Sequence, residues 1–128
     1  MSKLRVMVVH EHKEFREEIY HLMVDMGFEA FPAADGIDAL RQIYDVKPQL
    51  IVSDAGLSDL SGFQFLPFVK RRFPSIAVIA LGSVTNDKQK PVVADMLLPK
   101  QPWDPDRLLG SIEELLSRPL AANGADYA

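Results

Sequence analysis

Leu50-Ile51-Val52 is an apolar run too short for a helix, bounded by Pro48 and closed, after Ser53, by an acid, Asp54. A run that is apolar throughout, rather than alternating, offers no face to water. It suits an inner strand of a parallel sheet covered on both sides. Asp54 then stands at the carboxyl end of a strand, the rim where open α/β sheets place their chemistry. Taken alone, the acid is as well explained as a loop starter or a turn cap. The loop behind it, Ala55 to Gly62, is small and polar.

The same pattern returns along the chain. Val6-Met7-Val8-Val9 ends in His10-Glu11-His12, Ile76 to Leu81 ends in Gly82-Ser83, and Met96-Leu97-Leu98 is followed by Pro99-Lys100. Phe28 to Ala34 reads as a fourth short strand, and Pro32, which cannot donate to a ladder, places it at an edge. Between the strands the apolar period turns helical. Phe15, Ile19, Leu22, Met23 and Met26 share one face before Gly27, a natural helix stop. Ile37, Leu40, Ile43 and Tyr44 form a second inward face that ends before Pro48. Phe65, Leu66, Val69 and Phe73 form a third, with Pro67 as a source of kinking and Lys70-Arg71-Arg72 as its solvated basic end. Phe63, Phe65, Phe68 and Phe73 read as core, the alternative being one or two of these rings at a partner surface.

Asp104-Pro105 is an N-cap followed by proline at the first helical position, ahead of Leu108, Leu109, Ile112, Leu115 and Leu116. Val84 to Ala94 has poor periodicity and contains Pro91, so a short or irregular, mobile helix or a loop is expected there. Five strands alternating with about five helical segments imply a parallel sheet with helices on both faces.

With 128 residues the chain is long enough for one real core and too short for two. Residues 1–118 are expected to form the domain and 119–128 a flexible tail or linker. A net charge of −4 argues against a dedicated nucleic-acid surface. Absence of cysteine excludes a disulfide framework and a zinc-finger ligand set. With no signal peptide or membrane-length apolar run, a cytoplasmic location without membrane contact is expected.

If the strands holding His10-Glu11 and Asp54 are neighbours, Glu11 and Asp54 converge, a pairing that favours a hard divalent cation. A lysine nearby, Lys100, would neutralise a transferred phosphoryl group. A flavodoxin-type cofactor protein would share the sheet but needs a phosphate-cradling loop after the first strand, and His10-Glu11-His12-Lys13-Glu14 is the wrong chemistry for one. Two histidines two apart in a strand-like segment point to opposite faces, so His10 and His12 make a poor transition-metal pair.

The stretches Leu4 to Glu11, Asp35 to Leu40, Asp54 to Gly62, Val78 to Ser83 and Lys100 to Pro105 together resemble the receiver domain of bacterial two-component response regulators, over about residues 3–117. The resemblance implies a flavodoxin-like, doubly wound five-stranded sheet in order 2-1-3-4-5. It also implies a signalling domain rather than an enzyme. Its partners would be a sensor histidine kinase or phosphotransfer protein on one side and a downstream protein or output domain on the other. Asp54 matches the phosphoacceptor. Glu11, Asp54 and the backbone carbonyl of Gly56 match the Mg²⁺ ligands, with His10 in the place of a second acid. Lys100, Gly82 and Ser83 fall at the phosphate-contacting positions, and Leu97 at the switch aromatic.

Several of these places depart from the family pattern. His10 removes a carboxylate from the metal site, and near a surface a charge at about 4 Å is worth roughly 4 kcal/mol before desolvation. Imidazole also suits other metals better than Mg²⁺. Gly82 has no hydroxyl, although Ser83 follows it. Leu97 has no ring. Gln101 separates Lys100 from Pro102, and the segment from Gly82 to Lys100 is shorter than usual by about one helical turn. Weak or absent Mg²⁺ binding and impaired switching are therefore expected. The alternative is a phosphorylation-independent pseudo-receiver that serves as an interaction module.

Overall fold

The computed structural model describes residues 3–56, 65–82, 93–99 and 103–117. Along the chain run β1 (Arg5–Val9), α1 (Lys13–Asp25), β2 (Glu29–Ala33), α2 (Gly36–Val46), β3 (Leu50–Asp54), α3 (Phe65–Arg72), β4 (Ala77–Leu81), β5 (Met96–Leu98) and α4 (Pro105–Leu116). The strands form one sheet in order β2-β1-β3-β4-β5, with every neighbouring pair parallel. This is the expected doubly wound order, with β3 at the centre.

The apolar runs of β1, β3 and β4 are buried on both faces because alternate residues serve two cores. Val6, Val8, Leu50, Val52, Ile79 and Leu81 pack with Ile19 and Met23 of α1 and Leu108, Ile112 and Leu115 of α4. Met7, Val9, Ile51, Val78 and Ala80 pack with Ala39 and Ile43 of α2 and Phe65 and Val69 of α3. Pro32 lies in β2 at the sheet's edge, paired in register with Val8.

Local chemistry sets the helix ends. Gly27, at φ 89°, closes α1, with its N–H donating to Val24 O and that of Phe28 to Met23 O, a Schellman motif. Asp35 caps α2 by accepting from Asp38 N at 2.8 Å, and Asp38 in turn accepts from Ala34 N at 2.9 Å. Asp104 caps α4 by accepting from Arg107 N at 3.2 Å, with Pro105 at its start.

Three readings of the helical faces change. Tyr44 is exposed, with its ring set edge-on against Phe73, and Ala39 takes the inward place. Met26 is exposed, because it lies beyond the last residue of α1 as its C-cap. Lys70 is not a solvated helix end. Its ammonium donates to Pro74 O, Ile76 O and Asp95 Oδ2, tying α3 to the sheet. Phe65 and Phe73 are core, as expected, and Phe68 is partly buried. The expected irregular segment Val84 to Ala94 lies outside the described residues except for Val93 and Ala94, and the tail and Phe63 lie outside them entirely.

Candidate functional site at the carboxyl rim of the sheet

The pairing of β1 with β3 sets Val9 opposite Ser53, so the next residues, His10 and Asp54, meet at the rim. Both are buried, with 5% and 6% of their surfaces exposed. His10 Nε2 lies 3.8 Å from Asp54 Oδ2, within ion-pair range and beyond a hydrogen bond. Asp54 Oδ1 accepts from Gly56 N at 2.9 Å, a tight turn that holds the carboxylate against the start of the following loop.

His10 is held from several sides. Its backbone N–H donates to Ala33 O, and its carbonyl accepts from Arg16 Nη1 at 2.7 Å. Its Nδ1 accepts from the backbone N–H of His12 at 3.0 Å. The ring lies 5.0 Å from that of Phe15, which lies 5.0 Å from that of Trp103 at the foot of α4. His12 is spent on capping α1, where its Nδ1 accepts from Phe15 N. Glu11, between the two histidines, is exposed.

At the end of β4 the backbones crowd together. Ala55 N donates to Leu81 O and Gly82 N to Leu98 O, both at 2.8 Å. A Cβ built on Gly82 would stand 2.7 Å from Ala55 Cβ, closer than real carbons approach. The absence of a side chain at 82 is therefore a packing requirement. Leu97 pairs in register with Ala80 and packs, half-buried, on the α2–α3 side of the sheet. Ser83, Lys100 and the Gln101-Pro102 bond lie outside the described residues.

The structure thus brings together Asp54, Gly56 and His10, and places Gly82 one strand away from Asp54, beside Ala55. The sequence offers Glu11 as the residue that converges on Asp54, with His10 a weaker ligand in the place of a second acid. The structure puts the imidazole against the carboxylate. The Phe15–Trp103 ring pair beside it was not anticipated, although Trp103 directly follows the Lys100 to Pro102 stretch.

A hard cation such as Mg²⁺ takes oxygen ligands, several of them from carboxylates. Among the described residues no group of three or more His, Cys, Asp or Glu side chains is placed to hold a metal. A buried imidazole, nitrogen rather than oxygen, occupies the flank of Asp54. The flank of Asp54 that His10 fills therefore offers nitrogen where Mg²⁺ prefers oxygen, a poor fit to that ion.

A doubly wound sheet with an acid at the carboxyl end of its central strand defines a class of α/β signalling and binding domains. The chain belongs within it to the response regulator receiver domain family, whose model matches residues 6–113. It is 35% identical over 116 residues to Protein PilG of Pseudomonas aeruginosa, covering 86% of this chain and 85% of PilG. Among solved structures it is similar to the chemotaxis protein CheY4 of Vibrio cholerae, at 27% identity and a TM-score of 0.75, over 88% of this chain and 98% of that one.

The receiver domain of a sensor histidine kinase from Pseudomonas aeruginosa shares the fold, with a TM-score of 0.77 at 17% identity over 91% of this chain and 100% of that one. That protein has a magnesium ion coordinated in its active-site cleft. The chain spans little more than half the length of two other relatives, 54% and 55%. It is a receiver domain of two-component signalling, and the doubly wound fold expected from its sequence is the fold it has. Among the described residues no helix is long and apolar enough to cross a membrane.

Proposed function

We propose that Asp54 accepts a phosphoryl group from a histidine kinase or phosphotransfer protein, in a receiver whose Mg²⁺ binding and switching are impaired. The observation that carries this reading is the buried His10 imidazole 3.8 Å from the Asp54 carboxylate. It sets a nitrogen group, rather than a second oxygen ligand, beside the acid at the central rim. Lys100, Ser83, Glu11 and the Gly56 carbonyl remain the candidate companions of the acid.

In the transfer itself, an Asp54 carboxylate oxygen attacks the phosphorus of the donor. An acyl phosphate forms on Asp54 as the bond from phosphorus to the donor's leaving group breaks. The turn from Asp54 Oδ1 to Gly56 N orients the attacking carboxylate.

Incubation with acetyl phosphate, followed by intact-mass measurement, tests the reading. Slow phosphorylation of the parent, lost in Asp54→Asn, is expected. Tight Mg²⁺ binding with rapid, complete phosphorylation would show an ordinary switch and overturn the impairment.

The second reading, a phosphorylation-independent interaction module, draws on Gly82 and Leu97. The Gly82 backbone has no room for the side chain that would carry a hydroxyl, and Leu97 offers no ring to reposition. An unphosphorylated Asp54 under all donors, with a partner bound equally by the parent and Asp54→Asn, would favour it.

A further inference from the structure

His10 is bonded in a way that selects one form of its ring. The backbone N–H of His12 donates to Nδ1 at 3.0 Å, so Nδ1 must present a lone pair. In a neutral imidazole the proton then sits on Nε2, the atom 3.8 Å from Asp54 Oδ2. The opposite tautomer would set an Nδ1–H against the His12 N–H, and so would the imidazolium. The Phe15 ring, the Ala33 carbonyl and the Arg16 guanidinium hold the residue in this pose.

A protonated Nε2 cannot ligate a metal, because it has no lone pair to give. It is a donor 3.8 Å from the acid. A phosphoryl group on Asp54 would bring three strong acceptor oxygens to that place. The geometry points to His10 as a metal-replacing donor. Held as the Nε2–H tautomer by the His12 backbone, it hydrogen-bonds a phosphoryl oxygen on Asp54 and makes acceptance of the group independent of Mg²⁺. The inference rests on Asp54 being the acceptor. It deepens that reading by assigning His10 a positive role where the sequence shows only a missing carboxylate.

Two measurements on the full chain test it. Two-bond proton–nitrogen correlation spectra of the imidazole rings report the tautomer directly. The His10 signals are assigned by their disappearance in His10→Gln. Expected is a bare Nδ1 and a protonated Nε2 at neutral pH. An Nδ1–H ring or an imidazolium overturns the inference whatever the phosphorylation rates of the variants.

The second measurement is Asp54 phosphorylation by acetyl phosphate, read by mass, in EDTA and in Mg²⁺. The parent should gain less than threefold from Mg²⁺. His10→Gln, whose amide N–H reaches about where Nε2 does, should stay within threefold of the parent. His10→Leu, of similar bulk without a donor, should lose tenfold or more. A tenfold stimulation of the parent by Mg²⁺, or equal phosphorylation of His10→Leu and the parent, overturns the role of His10 while leaving Asp54 as acceptor. No phosphate on Asp54 under any condition overturns the acceptor reading, and the phosphoryl contact falls with it.

Discussion

Adding one carbon to residue 82 forces a contact of 2.7 Å with Ala55 Cβ, and the neighbouring backbones cannot easily yield. Ala55 N is bonded to Leu81 O and Gly82 N to Leu98 O, so both segments are tied into the sheet. Gly82→Ser, the obvious attempt to restore a hydroxyl at the rim, should therefore destabilise the protein by about 1–3 kcal/mol through overpacking. Adding Ala55→Gly should recover most of that loss, because it removes the carbon in conflict. Urea unfolding of the single and double variants reads both effects. A stable single variant would mean that the strand ends separate more readily than this packing implies. Gly82, just past β4, is thus matched to Ala55, just past β3. From sequence alone Gly82 reads only as a missing group, since its partner Ala55 lies far away along the chain.

Helices and strands were easier to read than the groups between them. Pro32 marked an edge strand, Gly27 a helix end and Asp104-Pro105 a helix start, because each acts through its own backbone. Tyr44 and Met26 were misplaced because the helical period continues past the point where packing, or the helix itself, ends. Lys70 was misread for a related reason. Position in the last turn of α3 favours a solvated cation, but the turn into β4 brings two carbonyls and Asp95 to its ammonium. Asp95 Oδ2 also accepts from Val78 N at 2.7 Å, so one carboxylate joins α3, β4 and the approach to β5. Lys70→Met should cost about 1–3 kcal/mol by stranding these acceptors, more than the 0–1 kcal/mol usual for an exposed ion pair. Arg71→Met, one residue on and exposed, should change stability by less than about 0.5 kcal/mol. Equal effects in thermal or urea unfolding would return Lys70 to the status of a surface charge.

At the scale of the whole molecule, the rim is where folding and function meet. His10 and Asp54 come together because two buried strands end side by side, and that follows from the register Val9 to Ser53. Sheet order alone brings the ends of β1 and β3 together. Register sets the His10 imidazole beside the acid, and register is not legible in a sequence the way a strand end is. The prediction that follows is a coupling of metal to stability at this rim.

A buried imidazole beside a buried carboxylate spares the fold a cluster of like charges. Replacing it by His10→Asp sets two carboxylates at one nearly dry rim, where their repulsion should cost about 1–3 kcal/mol without metal. The same change supplies an oxygen ligand in place of nitrogen, so Mg²⁺ should now bind and stabilise the folded form by mass action. With a dissociation constant of about 1 mM, 10 mM Mg²⁺ would add about 1.4 kcal/mol to the variant. The parent, lacking the carboxylate, should gain less than about 0.3 kcal/mol under the same conditions. Urea unfolding of both forms, with and without Mg²⁺, measures the four values directly. If Mg²⁺ stabilises the parent as much as the variant, the carboxylate count does not limit this site. If His10→Asp gains the metal and its backbone amide proton–nitrogen spectrum still does not change on phosphorylation, the proposed impairment lies beyond the metal site. Gly82 and Leu97 would then be the places to look, and the domain would act through a surface that phosphate does not move.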